Sequence, residues 1–211
     1  MTKTDRPAAL PNIGTTWGAF ENWTALIVHR RHANVDAITQ QLQRIGVDAV
    51  ECWPEVPENA DITPFDIVFF DVDMGYDGQF PWQPQQAPVP TVALIGSEAP
   101  GRIDWALRQG ADAQLIKPIG SAGVYSALVI AMHNFHRRHA LATEIGALRE
   151  SLDQREAVAQ ATAILMLAEN LSPKQAYQKL RLAAMAERIS VEAAARRFLN
   201  EQQAGPDRER A

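Results

Sequence analysis

Cysteine is almost missing from this chain: Cys52 is the one thiol in 211 residues. That excludes an internal disulfide framework and a multi-cysteine zinc site. Long apolar runs are missing too. No stretch approaches the roughly 18 apolar residues of a membrane-crossing helix, so no span is expected. The first residues lack the basic start and apolar core of a secretion signal, which makes the cytoplasm the expected location. Catalytic patterning is equally thin. There is no glycine-rich phosphate loop and no nucleophile paired with a base, so no enzyme is expected. His133, His136 and His139 fall at helical spacing, but no Asp, Glu or Cys within a turn completes a ligand set. A solvated helix face is expected there, with no metal and no cofactor. Cys52, beside Trp53, reads as a core or interface residue, as do most of the five tryptophans.

Positive charge is also scarce, and the net charge is −5. Its distribution is uneven. Residues 1–150 hold 11 Lys and Arg against 17 Asp and Glu, whereas residues 155–201 hold seven basic against five acidic side chains. A mildly basic end follows an acidic front. So few cations release few counterions, so nucleic-acid binding by that end needs shape and base contacts as well as charge.

What the front does contain is alternation. Apolar runs at 24–28, 47–52, 65–71, 92–95 and 114–116 read as strands, and 35–45 and 103–109 read as helices closed by Gly46 and Gly110. Strands alternating with helices predict an α/β domain with a parallel sheet covered on both faces. The proline-rich stretch 76–90 is expected to hold a reduced helix and a loop. From Ser121 to about Glu169 there is no proline, and nearly fifty helical residues exceed ordinary globular length. Leu141, Ile145, Leu148 and Leu152 step by four, three and four, the seam of a dimeric coiled coil.

The last quarter reads as three short helices. Ser172, Pro173 and Gln175 form a helix-opening signal, and a further helix begins near Ser190. Arg155, Val158, Ala161, Ile164, Leu165, Met166, Ser172, Ala176, Tyr177, Leu180, Arg181 and Met185 together resemble the pattern of the ANTAR domain, the three-helix RNA-binding module of bacterial antiterminators. Thr162 stands where the family usually has Lys, Ala163 where it has Gly, and Ala184 where it has Ser. In the front, Asp66 to Met74 and Gly110 to Pro118 resemble the response-regulator receiver, a flavodoxin-like five-stranded fold. That match places Asp71 at the phosphoacceptor position and Lys117 at the Lys-Pro pair. Gln41 to Gly46 followed by Cys52-Trp53-Pro54 resembles regulators in which a receiver-like domain is joined through a coiled coil to ANTAR.

The resemblance implies an arm at 1–22, a pseudo-receiver at 23–135, a connector at 136–155, an ANTAR module at 156–202 and a tail at 203–211. It implies an antiterminator that binds stem-loops of a leader transcript. A ligand-sensing protein related to periplasmic binding proteins would control it, and the chain would act as a homodimer. Arg155, Thr162, Lys174, Lys179, Arg181, Arg188, Arg196 and Arg197 are the expected RNA contacts, with Tyr177 expected in the core. Receivers carry two acidic metal ligands after the first strand, where this chain has His29 and Arg30. Asp71 is therefore expected as a buried carboxylate held by Lys117 or Arg30, not as a phosphoacceptor, and Ser97 as a loop cap. Two other functions stay open at this point: a response regulator phosphorylated on Asp71, and a protein-interaction adaptor that never meets RNA.

Overall fold

The computed structural model describes residues 20–204. Most of the arm expected at 1–22, and the tail beyond 204, lie outside the described residues. The elements run β1 (Trp23–Val28), α1 (Ala33–Ile45), β2 (Val47–Cys52), β3 (Ile67–Asp71), β4 (Thr91–Ile95), α2 (Pro100–Gln109), β5 (Ala113–Ile116), α3 (Val124–Glu169), α4 (Pro173–Glu187) and α5 (Val191–Ala204). The chain divides after His139 into two compact units.

The front unit is the α/β receiver-like fold. Five strands pair in parallel in the order β2-β1-β3-β4-β5. β3 and β4 are buried at every residue, because both of their faces are covered, while the outer strand β5 alternates half-buried with exposed. Neighbouring side chains on a strand point to opposite faces. Phe69 therefore joins Ile27, Leu42, Leu94 and Leu128 on one side, and Phe70 joins Leu26, Val68, Ile95 and Trp105 on the other. Phe20 is buried too, edge-on to Trp23 and Tyr125, so this residue of the expected arm belongs to the core.

Two helices begin earlier than the apolar pattern suggests, and each has a local reason. The His32 ring accepts the Asn34 N–H and caps α1. Pro100 supplies the preset φ of a first helical position in α2. The stretch 76–90 is corrected outright: it holds turns and no helix. Four prolines (Pro81, Pro84, Pro88, Pro90) each remove a helix donor and clash with the preceding turn. The loop is nevertheless tied down. Val56 donates its N–H to the Gln79 carbonyl, Gln85 donates its N–H to Gln109, and Trp82 stacks on Phe80 at 4.9 Å between ring centroids.

The buried Gln41 holds the start of α3: its Nε2 donates to the Gly120 carbonyl (2.9 Å) and its Oε1 accepts the Val124 N–H (3.2 Å). Asn34 Oδ1 accepts the Ile119 N–H at 3.0 Å. α1 thus supplies side-chain partners for a loop and for a helix N-terminus that lacks partners of its own.

In the second unit, the end of α3 packs with α4 and α5. Of its eight buried apolar residues among those described, six are alanines (Ala157, Ala161, Ala176, Ala184, Ala194, Ala195), joined by Leu165 and Leu180. The expected capping box is present: Gln175 N donates to Ser172 Oγ while the Gln175 side chain accepts the Ser172 N–H. Leu141, Ile145, Leu148 and Leu152, the expected seam, are all exposed, from 47% to 62%.

Candidate functional site

The carboxyl ends of β1, β3 and β5 bring His29, Asp71 and Lys117 together at one edge of the sheet, where α/β folds place their sites. Asp71 is 2% exposed. Lys117 Nζ lies 2.6 Å from Asp71 Oδ1 and 2.5 Å from Asp73 Oδ2, so one ammonium bridges two carboxylates. The buried His29 ring closes the other side, with Nε2 3.5 Å from Asp71 Oδ2 and 3.5 Å from Lys117 Nζ. Arg30, the other cation expected near Asp71, is exposed, and among the described residues it makes no ion pair with it.

Asp73 was not legible as a site residue in advance, yet it is the better satisfied carboxylate. It accepts N–H groups from Gly96 and from Ser97, the latter at 2.8 Å. Burial pushes its pKa up, but Lys117 and these two N–H groups outweigh that and hold the carboxyl below its ordinary value. A Cβ at Gly96 would stand 2.5 Å from Asp73 Oδ2, so glycine is required for this approach. Ser97 does cap its loop, its Oγ accepting the Ala99 N–H. The cluster does not suit a divalent cation. Mg²⁺ wants several oxygen ligands; here the ammonium of Lys117 lies between both carboxylates, and an imidazole stands at one of the usual acidic positions.

Cys52 is half-buried and donates its S–H to the Glu55 carbonyl. Burial, and then the Glu55 carboxylate, raise its pKa, which is the wrong direction for a nucleophile.

In the second unit, the basic residues expected to meet RNA fall into two groups. Lys179 is paired with Glu169, and Arg197 lies 2.5 Å from Glu187 and 3.0 Å from Glu201. Arg155, Lys174, Arg181, Arg188 and Arg196 are exposed and form no ion pair among the described residues. Thr162 is half-buried and spends its hydroxyl on the Val158 carbonyl, 2.7 Å away.

Tyr177 is a correction: it is 45% exposed, not core. The positions beside it, Ala176 and Leu180, fill the interior, and Tyr177 faces outward one step round the helix. Lys174, Tyr177, Arg181, Met185 and Arg188 follow each other by three or four residues, and all are exposed. On a helix this spacing puts Lys174, Tyr177, Arg181 and Met185 on one face. α4 therefore carries a solvent-facing stripe in which two cations, Lys174 and Arg181, alternate with an aromatic ring and a thioether, and Arg188 stands just past its end as the left-handed C-cap.

Residues 23–132 match the model of the AmiR N-terminal family, and residues 146–199 match the ANTAR domain model. The chain belongs to the AmiR N-terminal family. As an AmiR-like regulator carrying an ANTAR domain, it is similar to the aliphatic amidase regulator of Pseudomonas aeruginosa, at 26% identity over 174 residues, covering 81% of this chain and 88% of that protein. Among solved structures, full-length FixJ from B. japonicum is 16% identical and covers 88% of this chain and 98% of its own, with a TM-score of 0.42. A response regulator receiver protein from Burkholderia phymatum is 18% identical over 53% of this chain and 95% of its own, with a TM-score of 0.37.

Proposed function

We propose that this AmiR-like chain is a transcription antitermination regulator that binds structured leader RNA through its ANTAR module. The observation that carries the reading is the α4 stripe. Single-stranded loop bases stack on exposed aromatic rings, and nearby cations hold the phosphates. Lys174, Arg181 and Arg188 flank Tyr177 for that task, with Arg155 and Arg196 as further contacts. Lys179 and Arg197 are already neutralised by carboxylates, and Thr162 has no free hydrogen to donate; these three contribute least.

The front domain serves as a docking surface for a ligand-sensing protein partner rather than as a phosphoacceptor. His29 favours this assignment, because its imidazole stands beside Asp71 at a position where receivers carry an acidic metal ligand. The exposed seam Leu141, Ile145, Leu148 and Leu152 fits a second copy of the chain, which makes the working form a homodimer.

The test is a gel shift with a leader transcript from the chain's own operon at two salt concentrations. Specific, salt-sensitive binding that Arg181→Ala weakens and Lys179→Ala leaves in place is expected. A well-folded protein that binds no such RNA would leave the adaptor function in its place.

A further inference from the structure

The loop that replaces a helix at 76–90 does not leave a flat surface. Together with residues 55–58 and the end of α2 it encloses an open cleft of about 770 Å³. Its wall includes Phe80 and Trp82, stacked with an interplanar angle of 13°, so Phe80 backs one face of the half-buried indole. Glu55, Glu58 and Asp77 line it as well, and all three are exposed. The one cation in the wall among the described residues, Arg108, is paired with Asp104 at 3.0 Å.

The cleft is held in shape from several sides. Gln79, fully buried, donates its Nε2 to the Pro54 carbonyl, which joins the two walls. Tyr76 donates its hydroxyl to Glu55 (2.6 Å), and the Trp105 indole donates to Asp77 (2.9 Å). These bonds orient two of the carboxylates without neutralising them. An aromatic wall with carboxylates around it and its only cation already paired is built to receive positive charge. A planar cation over an indole, with carboxylates in reach of its N–H groups, gains from both.

We infer that this cleft receives an arginine side chain of the partner protein that acts on the front domain. The inference rests on the docking role proposed for that domain. Arginine fits better than lysine because its flat, weakly hydrated guanidinium stacks on Trp82 while its edge donates to Glu55, Glu58 or Asp77. The wall residue Gln85 also accepts from Arg138 of α3. The cleft thus shares a wall residue with the side chain that fastens this helix to the sheet.

The probe is N-acetyl-arginine methylamide, titrated into the full chain labelled with 5-fluorotryptophan. The Trp82 signal is identified by its loss in Trp82→Phe. A saturable shift of that signal is expected, weaker at high salt, with an apparent affinity lowered roughly two- to fivefold by Glu58→Gln, a rim change that spares the core. The neutral isostere, the citrulline analogue, should give no saturable shift. A Trp82 signal that does not move up to tens of millimolar, or moves equally with citrulline, overturns the inference. Neither result touches the docking role itself. That role is read separately, by whether a partner protein alters the RNA gel shift of the Glu58→Gln and unmodified chains.

Discussion

The guanidinium of Arg138 lies 3.0 Å from each carboxylate oxygen of Asp112. Its other terminal nitrogen donates to the Gln85 carbonyl. Asp112 also accepts the Thr91 N–H at 3.0 Å, and the Asn134 amide donates to its backbone carbonyl. One buried carboxylate thus joins β4, β5, the proline-rich loop and α3. Removing the cation strands that charge, so Arg138→Met should destabilise the front domain by about 3–5 kcal/mol. Urea unfolding followed by tryptophan emission measures this; a loss under 1 kcal/mol would show that the pair is dispensable.

Asp112 and Asp73 should respond to acid in opposite senses. Burial raises the Asp112 pKa more than Thr91 and Arg138 lower it, so the folded state holds that proton more tightly than the unfolded one. Its contribution grows as pH falls through the folded value. Asp73 lies below its ordinary value, so its contribution is present above the unfolded carboxylate range and lost as pH falls through the folded value. Unfolding at pH 7 and pH 3 should then show a smaller acid loss for Asp73→Asn and a larger one for Asp112→Asn. Equal pH dependence in the two variants would contradict these assignments.

Lys117→Met leaves two carboxylates facing each other, one fully buried, and should cost about 3–5 kcal/mol. Adding Asp71→Asn to it should restore a large part, because the stranded charge is then gone. A double variant no more stable than the single one would show that Lys117 acts by packing. In the unmodified chain, acetyl phosphate with Mg²⁺ should add no mass; a gain that Asp71→Asn removes would revive the phosphorylated-regulator function.

For the proposed RNA face, Tyr177→Phe keeps the ring and Tyr177→Leu does not. Stacking of one base contributes about 1–3 kcal/mol. The Leu variant should therefore lose roughly fivefold to a hundredfold in leader affinity, and the Phe variant less than threefold. Equal losses in both would place the hydroxyl, not the ring, at the RNA.

Ile145→Asp combined with Leu148→Asp should convert the proposed homodimer to a monomer in light scattering without unfolding the terminal module, whose core lies further along α3. A dimer that survives both changes would exclude the seam.

Much of this was legible in the residues. Gly46 and Gly110 closed helices because each adopts a positive φ there, and Asp71 and Lys117 stood where strands end. Asp73, Asp112 and Arg138 were not legible, because their roles depend on pairs 26 to 44 residues apart in the chain. Tyr177 was misread for a simpler reason. In a helix, adjacent residues differ by about 100° in direction, so sitting next to the apolar Ala176 says little about burial. The loop at 76–90 kept its boundaries but not its helix, since four prolines outweighed the spacing that receivers normally give a helix there.

The alanine-rich interior of the terminal module has a thermodynamic consequence. A methyl group removes little apolar area from water, about 0.8 kcal/mol per carbon. The module therefore folds with less reserve than the front domain, whose interior is Phe, Ile and Leu. A ligand that binds only the folded form adds to that reserve in proportion to the logarithm of its concentration, about 2.7 kcal/mol at a hundred times Kd. If the proposed leader RNA binds only the folded module, recognition would add to its stability, and the RNA would act as part of its core.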